Sequence, residues 1–363
     1  MKSIFLFILL NLFFLKDINA EYLFKIDVKN KDSSILINNA SNPSQPIIDE
    51  ESSSNLGYTN CIDSRPITRE ELDTMIANEE IVSDVCTSAI TDMSYLFAGN
   101  TTFNQSILSW DVSNVTNMQG MFQGATAFNQ SLTTWNVSNV VSMANMFEGA
   151  SNFNQNINNW NVSNVQDMSH MFANSGYNQP LDQWDTSNLN TIDYMFSNNY
   201  AFNQNINTWN TSNLNRLIGV FSGATSFNQP LYGWNISNVR FLAFTFMSAN
   251  SFNQDISSWD TSNVLQMDSV FSHTASFNQP LNDWDVSNVT NLNGIFQDAT
   301  AFNQPLDLWN TSNVNVFSFL FFNATSFDQD ISSWDTNSAS YTPSNFATNS
   351  PIDGTNKIPS GFQ

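Results

Sequence analysis

The chain has 363 residues with 32 acidic and 10 basic side chains, which gives a formal net charge of −22 at pH 7. Residues 97–336 contain sixteen Asp and Glu but only two basic residues, Arg216 and Arg240. Binding to nucleic acid or to an anionic membrane surface requires the opposite sign of charge. The composition therefore argues against both and indicates a solvated acidic surface.

Residues 1–20 form a predicted signal peptide, in which Lys2 precedes an apolar run and the segment ends at a small residue, Ala20. The apolar run is short for a membrane span, although an uncleaved N-terminal anchor is the alternative. Residues 21–60 are polar and rich in Asn, Ser and Pro, which predicts a flexible leader. We therefore expect a secreted or cell-surface protein without a transmembrane segment in its mature part.

Residues 61–95 are predicted to form an N-terminal cap and a first rung. Thr68 and Glu71 have the spacing of a capping box. This predicts a helix from about Arg69 to Asn78, which would cover the open end of a stack of repeats.

The only two cysteines, Cys61 and Cys86, lie one repeat length apart at this end of the chain. In a secreted protein such a pair readily forms a disulfide, and two buried thiols are the alternative. A disulfide here would fix the cap to the first rung. A metal site is disfavoured because no histidine lies nearby in the sequence.

A single repeating unit, at about 25 residues the length of one solenoid rung, recurs through 96–336, which we interpret as ten Trp-marked repeats. The spacing between successive tryptophans is constant except at one step, from Trp160 to Trp184, which is shorter by a single position. The tryptophans are Trp110, Trp135, Trp160, Trp184, Trp209, Trp234, Trp259, Trp284, Trp309 and Trp334. Eight copies also keep Phe-Asn-Gln unchanged. A unit this short cannot bury its own aromatic side chains, so the period indicates a solenoid of stacked rungs.

Each rung is predicted to contain short strands and one helical turn, which makes the fold class an α/β repeat solenoid. In the first copy the extended pieces fall at 107–110 and 115–118, with a corner at 111–114 between them and the helical turn at 119–124. Residues 337–363 lose the pattern and are predicted to form a C-terminal cap and tail.

The pattern F-N-Q-x-[IL]-x-x-W-[DN]-[VT]-S-N-V-x-x-M-x-x-M-F resembles the BspA-like leucine-rich-repeat surface proteins, which carry the repeat first described in mycoplasma lipoproteins. The resemblance covers roughly residues 62–350, and the segment 86–97 is similar to the usual first rung. It implies a leucine-rich-repeat-like solenoid at the cell surface and, for some relatives, adhesion. It implies no catalytic residues. Unlike many members, this chain has no lipobox cysteine near residue 20 and no obvious sorting motif.

Catalysis and cofactor binding are not favoured by the sequence. The two histidines, His170 and His273, lie at different repeat positions, and no Ser-His-Asp, Cys-His or phosphate-loop arrangement occurs. One repeat position carries aspartate in half of the copies, which raises the question of calcium. These residues are Asp111, Asp185, Asp260, Asp285 and Asp335. Asn replaces Asp in the other copies, so we expect no specific calcium site, no cofactor and no enzyme activity.

Partner contacts are expected at a variable position ten residues after each tryptophan. It reads Gly120, Asn145, His170, Tyr194, Gly219, Phe244, Ser269, Gly294 and Phe319. Aromatic and Arg side chains are frequent anchors of interfaces. The candidate contact residues are therefore Arg216, Arg240, Phe241, Phe244, Tyr194 and Phe319. The alternative is that these aromatic side chains only fill a wider part of the core, as we expect of Phe317.

We therefore expect a non-catalytic, adhesin-like repeat protein that binds an extracellular protein or glycan. A structural or self-assembling surface protein without an external ligand is the first alternative. A surface glycan hydrolase is the second.

Overall fold

The computed structural model describes residue 61 and residues 64–362. The predicted signal peptide and leader lie outside the described residues. The helix α1 spans Arg69–Ala77, and one turn of 3-10 helix spans Ser360–Phe362. None of the helices in the described part is long and apolar enough to cross a membrane. Between the two helices the chain forms a repeat solenoid in which equivalent residues of neighbouring rungs lie beside each other.

The rungs consist of tight turns and contain neither of the regular elements expected from the sequence. The predicted strands are reduced to isolated parallel bridges, such as the one between Asn117 and Ser142. The segment 107–110, expected to be extended, is a turn closed by a hydrogen bond from Trp110 N to Ile107 O (3.1 Å). The corner at 111–114 is present as a turn.

The predicted helical turn at 119–124 is also replaced by a series of four-residue turns. Gly120 and Gly124 adopt positive φ angles of 60° and 69°, which a right-handed helix does not allow. The amide groups that an α-helix would bond within the rung point to the next rung instead. Phe122 N, for example, donates to Met146 O (2.9 Å). The structure therefore supports the repeat solenoid but does not confirm the α/β detail of its rungs.

Columns of aromatic rings run along the axis and form the core. Phe122 and Phe147 are stacked in one column with their centroids 5.5 Å apart. A second column comes from the Phe-Asn-Gln motifs, and Phe128 packs on Phe122 at 4.0 Å. All ten tryptophans are buried beside these columns. The Phe column continues one rung beyond the last tryptophan, to Phe346.

Polar side chains join each rung to the next with the same hydrogen bonds in copy after copy. Asn228 Oδ1 accepts hydrogen bonds from Asn253 N (3.0 Å) and Gln254 Nε2 (2.9 Å) of the following Phe-Asn-Gln motif. Trp209 Nε1 donates to a carbonyl of the preceding rung, Leu181 O (3.0 Å). The Asn of each Ser-Asn corner does the same through its amide group. The polar residues of the repeat thus satisfy backbone groups that stacking would otherwise leave unpaired.

The N-terminal end of the stack is covered by α1 and the segment that follows it. Thr68 and Glu71 form the predicted capping box. Arg69 donates hydrogen bonds to the carbonyl oxygens of Asp92 (3.0 Å) and Ser94 (2.9 Å). In later rungs the equivalent oxygens accept from amides of the rung before. Val82 O accepts the indole hydrogen of Trp110 (2.8 Å), as a preceding rung would.

The C-terminal end is closed by residues 337–362. Phe321 N donates to Phe346 O (2.7 Å), so this segment supplies one final row of acceptors. The last motif reads Phe-Asp-Gln. The carboxylate of Asp328 pairs with the ammonium group of Lys357 (2.6 Å). The equivalent Asn side chains instead accept hydrogen bonds from the following rung.

Replacing Asn228 with Ala should lower the free energy of unfolding by about 1–3 kcal/mol, because two donors of the next rung lose their acceptor. Denaturant unfolding followed by circular dichroism measures this loss. The matched control is Asn215→Ala, at an exposed residue whose side chain has no hydrogen-bond partner among the described residues, and its effect should stay within about 0.5 kcal/mol. Equal effects of the two changes would contradict the role of the ladder.

Removal of residues 337–363 should make the protein associate end to end, because amides such as Phe321 N would form an open, unpaired edge. Size-exclusion chromatography with light scattering measures the assembly. A Lys357→Gln chain loses the bonds of the ammonium group to Asp328 but keeps the final row of acceptors, so it should remain monomeric. A truncated chain that is folded and monomeric would show that this segment does not protect the edge.

Candidate binding surface

The variable repeat position has one fixed backbone conformation, which the sequence did not reveal. Every residue in this column has a positive φ, from 54° at Tyr194 to 60° at Gly120. Glycine adopts this conformation without penalty, and Asn tolerates it better than bulky residues do. An aromatic residue at such a position is strained and persists only where the surrounding structure holds it. Tyr194, Phe244 and Phe319 are three such residues.

Large side chains in this column lie over small residues of the following rung. A Cβ atom added to Gly219 would come within 2.3 Å of the Tyr194 ring. Tyr95, one repeat before Gly120, covers that glycine in the same way at 2.4 Å. On its other side the Tyr194 ring stacks on His170, with centroids 5.0 Å apart. Glycine is therefore needed at 219 for close approach as well as for its φ.

The aromatic residues of this column lie outside the buried core. Tyr194, Phe244 and Phe319 are all half-buried, and Tyr95 is 48% exposed. Phe317, two residues before Phe319, is by contrast 1% exposed and packs in the core as expected. The aromatic side chains at the variable position thus do not serve as core filling, and they present part of each ring to solvent.

The structure brings most of the candidate contact residues together. Arg216 and Phe241 are neighbours in the bridge column, and Arg240 and Phe244 lie in the same rung as Phe241. Arg216 and Arg240 are exposed, while Phe241 is half-buried. Phe319 lies apart, three rungs further along its column. The bridge column runs from Asp92 to Val316 with a single break among the described residues, between Thr191 and Arg216.

A buried carboxylate lies beside that break. Asp193 is only 3% exposed, pairs with the guanidinium group of Arg216, and accepts a hydrogen bond from Ile218 N (3.2 Å). Burial raises the pKa of Asp193, although the charge of Arg216 opposes this. The positive charge of Arg216 is therefore largely used within the protein.

A second partly buried carboxylate, Asp268, lies three rungs beyond Asp193 in the same column. Burial raises the pKa of Asp268. Its carboxylate has no ion pair and no hydrogen bond to another residue in the described part of the chain. Burial is the main cause that raises the pKa of Tyr194, and the negative charges of Asp193 and Asp268 add to it. Sequence analysis missed both aspartates.

The other candidate residues have structural roles. Cys61 and Cys86 form a disulfide, which joins the segment before α1 to the first rung. The aspartates considered as calcium ligands close turns. Asp111 Oδ1 accepts a hydrogen bond from Ser113 N (3.0 Å), and Asn136 Oδ1 accepts one from Ser138 N (3.2 Å). This shared turn explains why Asp and Asn alternate there. Among the described residues, no group of three His, Cys, Asp or Glu could hold a metal ion.

Phe244→Gly should leave the free energy of unfolding unchanged or raise it by up to about 1 kcal/mol, because relief of the left-handed strain offsets the lost ring contacts. The matched core change, Phe317→Ala, should lower it by about 3–5 kcal/mol. Both are measured by denaturant unfolding. A loss in Phe244→Gly as large as that in Phe317→Ala would mean that Phe244 is held for packing.

Comparison with known proteins identifies the repeat family. Residues 70–179, 175–272 and 242–356 each match the same family, so the matches together span most of the solenoid. The match does not identify the chain as a BspA-like or leucine-rich-repeat protein. Neither a curated protein nor a solved structure matches the chain significantly. The chain belongs to the repeat family described as Mycoplasma protein of unknown function, DUF285.

Proposed function

We propose that this protein is exported and binds another extracellular macromolecule through the aromatic side chains of its variable column. The observation that carries the proposal is the presence of Tyr194, Phe244 and Phe319 at positive φ, half-exposed, where Gly fits without strain. Strain kept at solvent-facing residues is a feature of functional surfaces. Aromatic side chains also supply large contact areas at low entropic cost.

Export and a surface role are supported by the signal-peptide pattern and by the disulfide. Disulfides persist in oxidising compartments and are rare in the cytosol. The resemblance to the BspA-like leucine-rich-repeat surface proteins also supports a surface role, and we propose a distant relation to them. A non-catalytic role fits the turn-closing use of the recurrent carboxylates, which leaves them little freedom for acid–base chemistry.

The first alternative, a self-assembling surface protein, is less well supported by the ends of the stack. Arg69 donates hydrogen bonds to carbonyl oxygens of the first rung, and Phe346 O accepts a hydrogen bond from an amide of the last complete rung. With both ends covered by the chain's own residues, assembly by rung stacking is blocked. Copies would have to associate through their sides.

The test is a binding array of matrix proteins, glycans and whole cells, probed with the chain from Glu21 onward. A saturable interaction should appear and should be lost in an Arg240→Glu, Phe244→Gly variant that keeps its circular dichroism spectrum. The control is Tyr232→Ser, at an exposed tyrosine on a different edge where Ser257 occupies the equivalent position. Binding lost equally in the control would remove the proposed surface.

The remaining outcomes separate the two candidate functions. Binding that persists in the double variant would support an adhesin with its contact site elsewhere on the rod. Absence of any binding, together with concentration-dependent association on a sizing column, would replace the proposal with the self-assembling alternative.

A further inference from the structure

The surface around Gly219 combines groups that no structural role of the repeat explains. We call Tyr194, Gly219, Arg240, Phe244 and Asp268 the Gly219 surface. The Tyr194 ring lies over Gly219, which is buried, and Phe244 follows one rung further along the column. Because neighbouring rungs are about 4.8 Å apart, as hydrogen-bonded strands are, Tyr194 and Phe244 start about 10 Å apart along the axis.

The polar groups of the Gly219 surface include one unpaired donor and one unpaired acceptor. The guanidinium group of Arg240 is exposed and has no ion pair or hydrogen bond among the described residues. The Asp268 carboxylate likewise contacts no donor of another residue there. The neighbouring Arg216 is by contrast already paired with Asp193. A ligand that both donates and accepts hydrogen bonds would satisfy Arg240 and Asp268 together.

Charge narrows the chemistry of that ligand. Sixteen acidic residues against two basic ones over residues 97–336 would repel a polyanion such as a sulfated glycan or nucleic acid. A strongly basic peptide would be repelled at this surface by the unpaired positive charge of Arg240. A neutral ligand avoids both penalties.

We propose that the Gly219 surface binds a neutral glycan, with a sugar ring against Phe244 and sugar hydroxyl groups on the Tyr194 phenol, Asp268 and Arg240. Each sugar hydroxyl donates and accepts, so it suits a carboxylate and a guanidinium group equally. The C–H face of a sugar ring packs on an aromatic ring as an apolar surface. This inference rests on the proposed function and gives its partner a chemical class.

The repeat itself supplies conservative variants, because each change introduces a residue found at the same repeat position in another rung. Tyr194→Asn follows Asn145, Phe244→Gly follows Gly219, and Asp268→Asn follows Asn293. Arg240→Asn likewise follows Asn215. These backbones already accept the new side chains, so the variants should fold.

The experiment titrates the chain with neutral hexasaccharides of glucose, mannose and N-acetylglucosamine, measured by isothermal titration calorimetry and saturation-transfer NMR. At least one should bind. Phe244→Gly should weaken binding by about tenfold, the upper range for one aromatic contact. Tyr194→Asn, Asp268→Asn and Arg240→Asn should each weaken it severalfold. The control Asp283→Asn removes the same charge from an exposed aspartate elsewhere and should leave the affinity unchanged.

A Lys-rich peptide, a matched Gln-substituted peptide and a sulfated hexasaccharide complete the set. Binding of the Lys-rich peptide alone, tightened by Arg240→Asn, would overturn the glycan proposal while keeping the surface as a protein-binding site. Hexasaccharide binding that all four variants retain would place the glycan elsewhere and overturn it too. A protein partner lost in the Phe244→Gly variant, with no sugar bound, would refute the glycan and leave the proposed function intact.

Discussion

The fold depends on hydrogen bonds that cross from one rung to the next at identical places in each copy. The turns of a rung pair only part of its backbone, and amides such as Phe122 N would be unpaired if the rung stood alone. The Asn of the Phe-Asn-Gln motif, the tryptophan indole and the Asn of the Ser-Asn corner each bond a neighbouring rung. Burial of the aromatic columns supplies the main free energy. The polar ladder fixes the register at which those columns can form.

The same ladder explains where variation is possible. A residue that bonds the next rung is constrained on both sides, so these positions repeat almost without change. The variable column takes part in the ladder between rungs through its backbone amide, as where Phe244 N donates to Asp268 O (3.0 Å). Its left-handed φ favours Gly and, less strongly, Asn. Aromatic residues there run against the local preference, which is where function is expected to override it.

The periodicity was sufficient to predict the solenoid and the nearness of Cys61 to Cys86, and the capping-box spacing predicted the helix, because each depends on spacing alone. The turn-built rung was not predicted, since Gly124 is equally compatible with a helix end and with a left-handed turn. The one-residue deletion near Tyr177 was visible. The shortened turn runs close to the preceding rung, since a Cβ on Gly176 would meet Ser151 O at 2.3 Å.

The candidate surface was predictable only in part. Variation at Phe244 and Tyr194 marked the column, but exposure could not be inferred from one sequence. Asp193 and Asp268 were missed because their position varies among Ser, Ala, Ile and Asn, without a pattern. A usable signal existed: Gly120 and Gly219 each follow an aromatic residue in the preceding rung. Pairs of that kind report side chains that lie along the axis.

The closing arrangement at Asp328 and Lys357 has a consequence for how such proteins change in evolution. Only the first and last rungs contact the caps, so unequal recombination between internal copies can add or remove a whole repeat without disturbing either end. Each event would change the length of the rod by about 4.8 Å, the distance between hydrogen-bonded neighbours. It would also bring in a new residue at the variable column. Length and surface chemistry can therefore be altered together in one genetic step, while the fold and its ends stay the same.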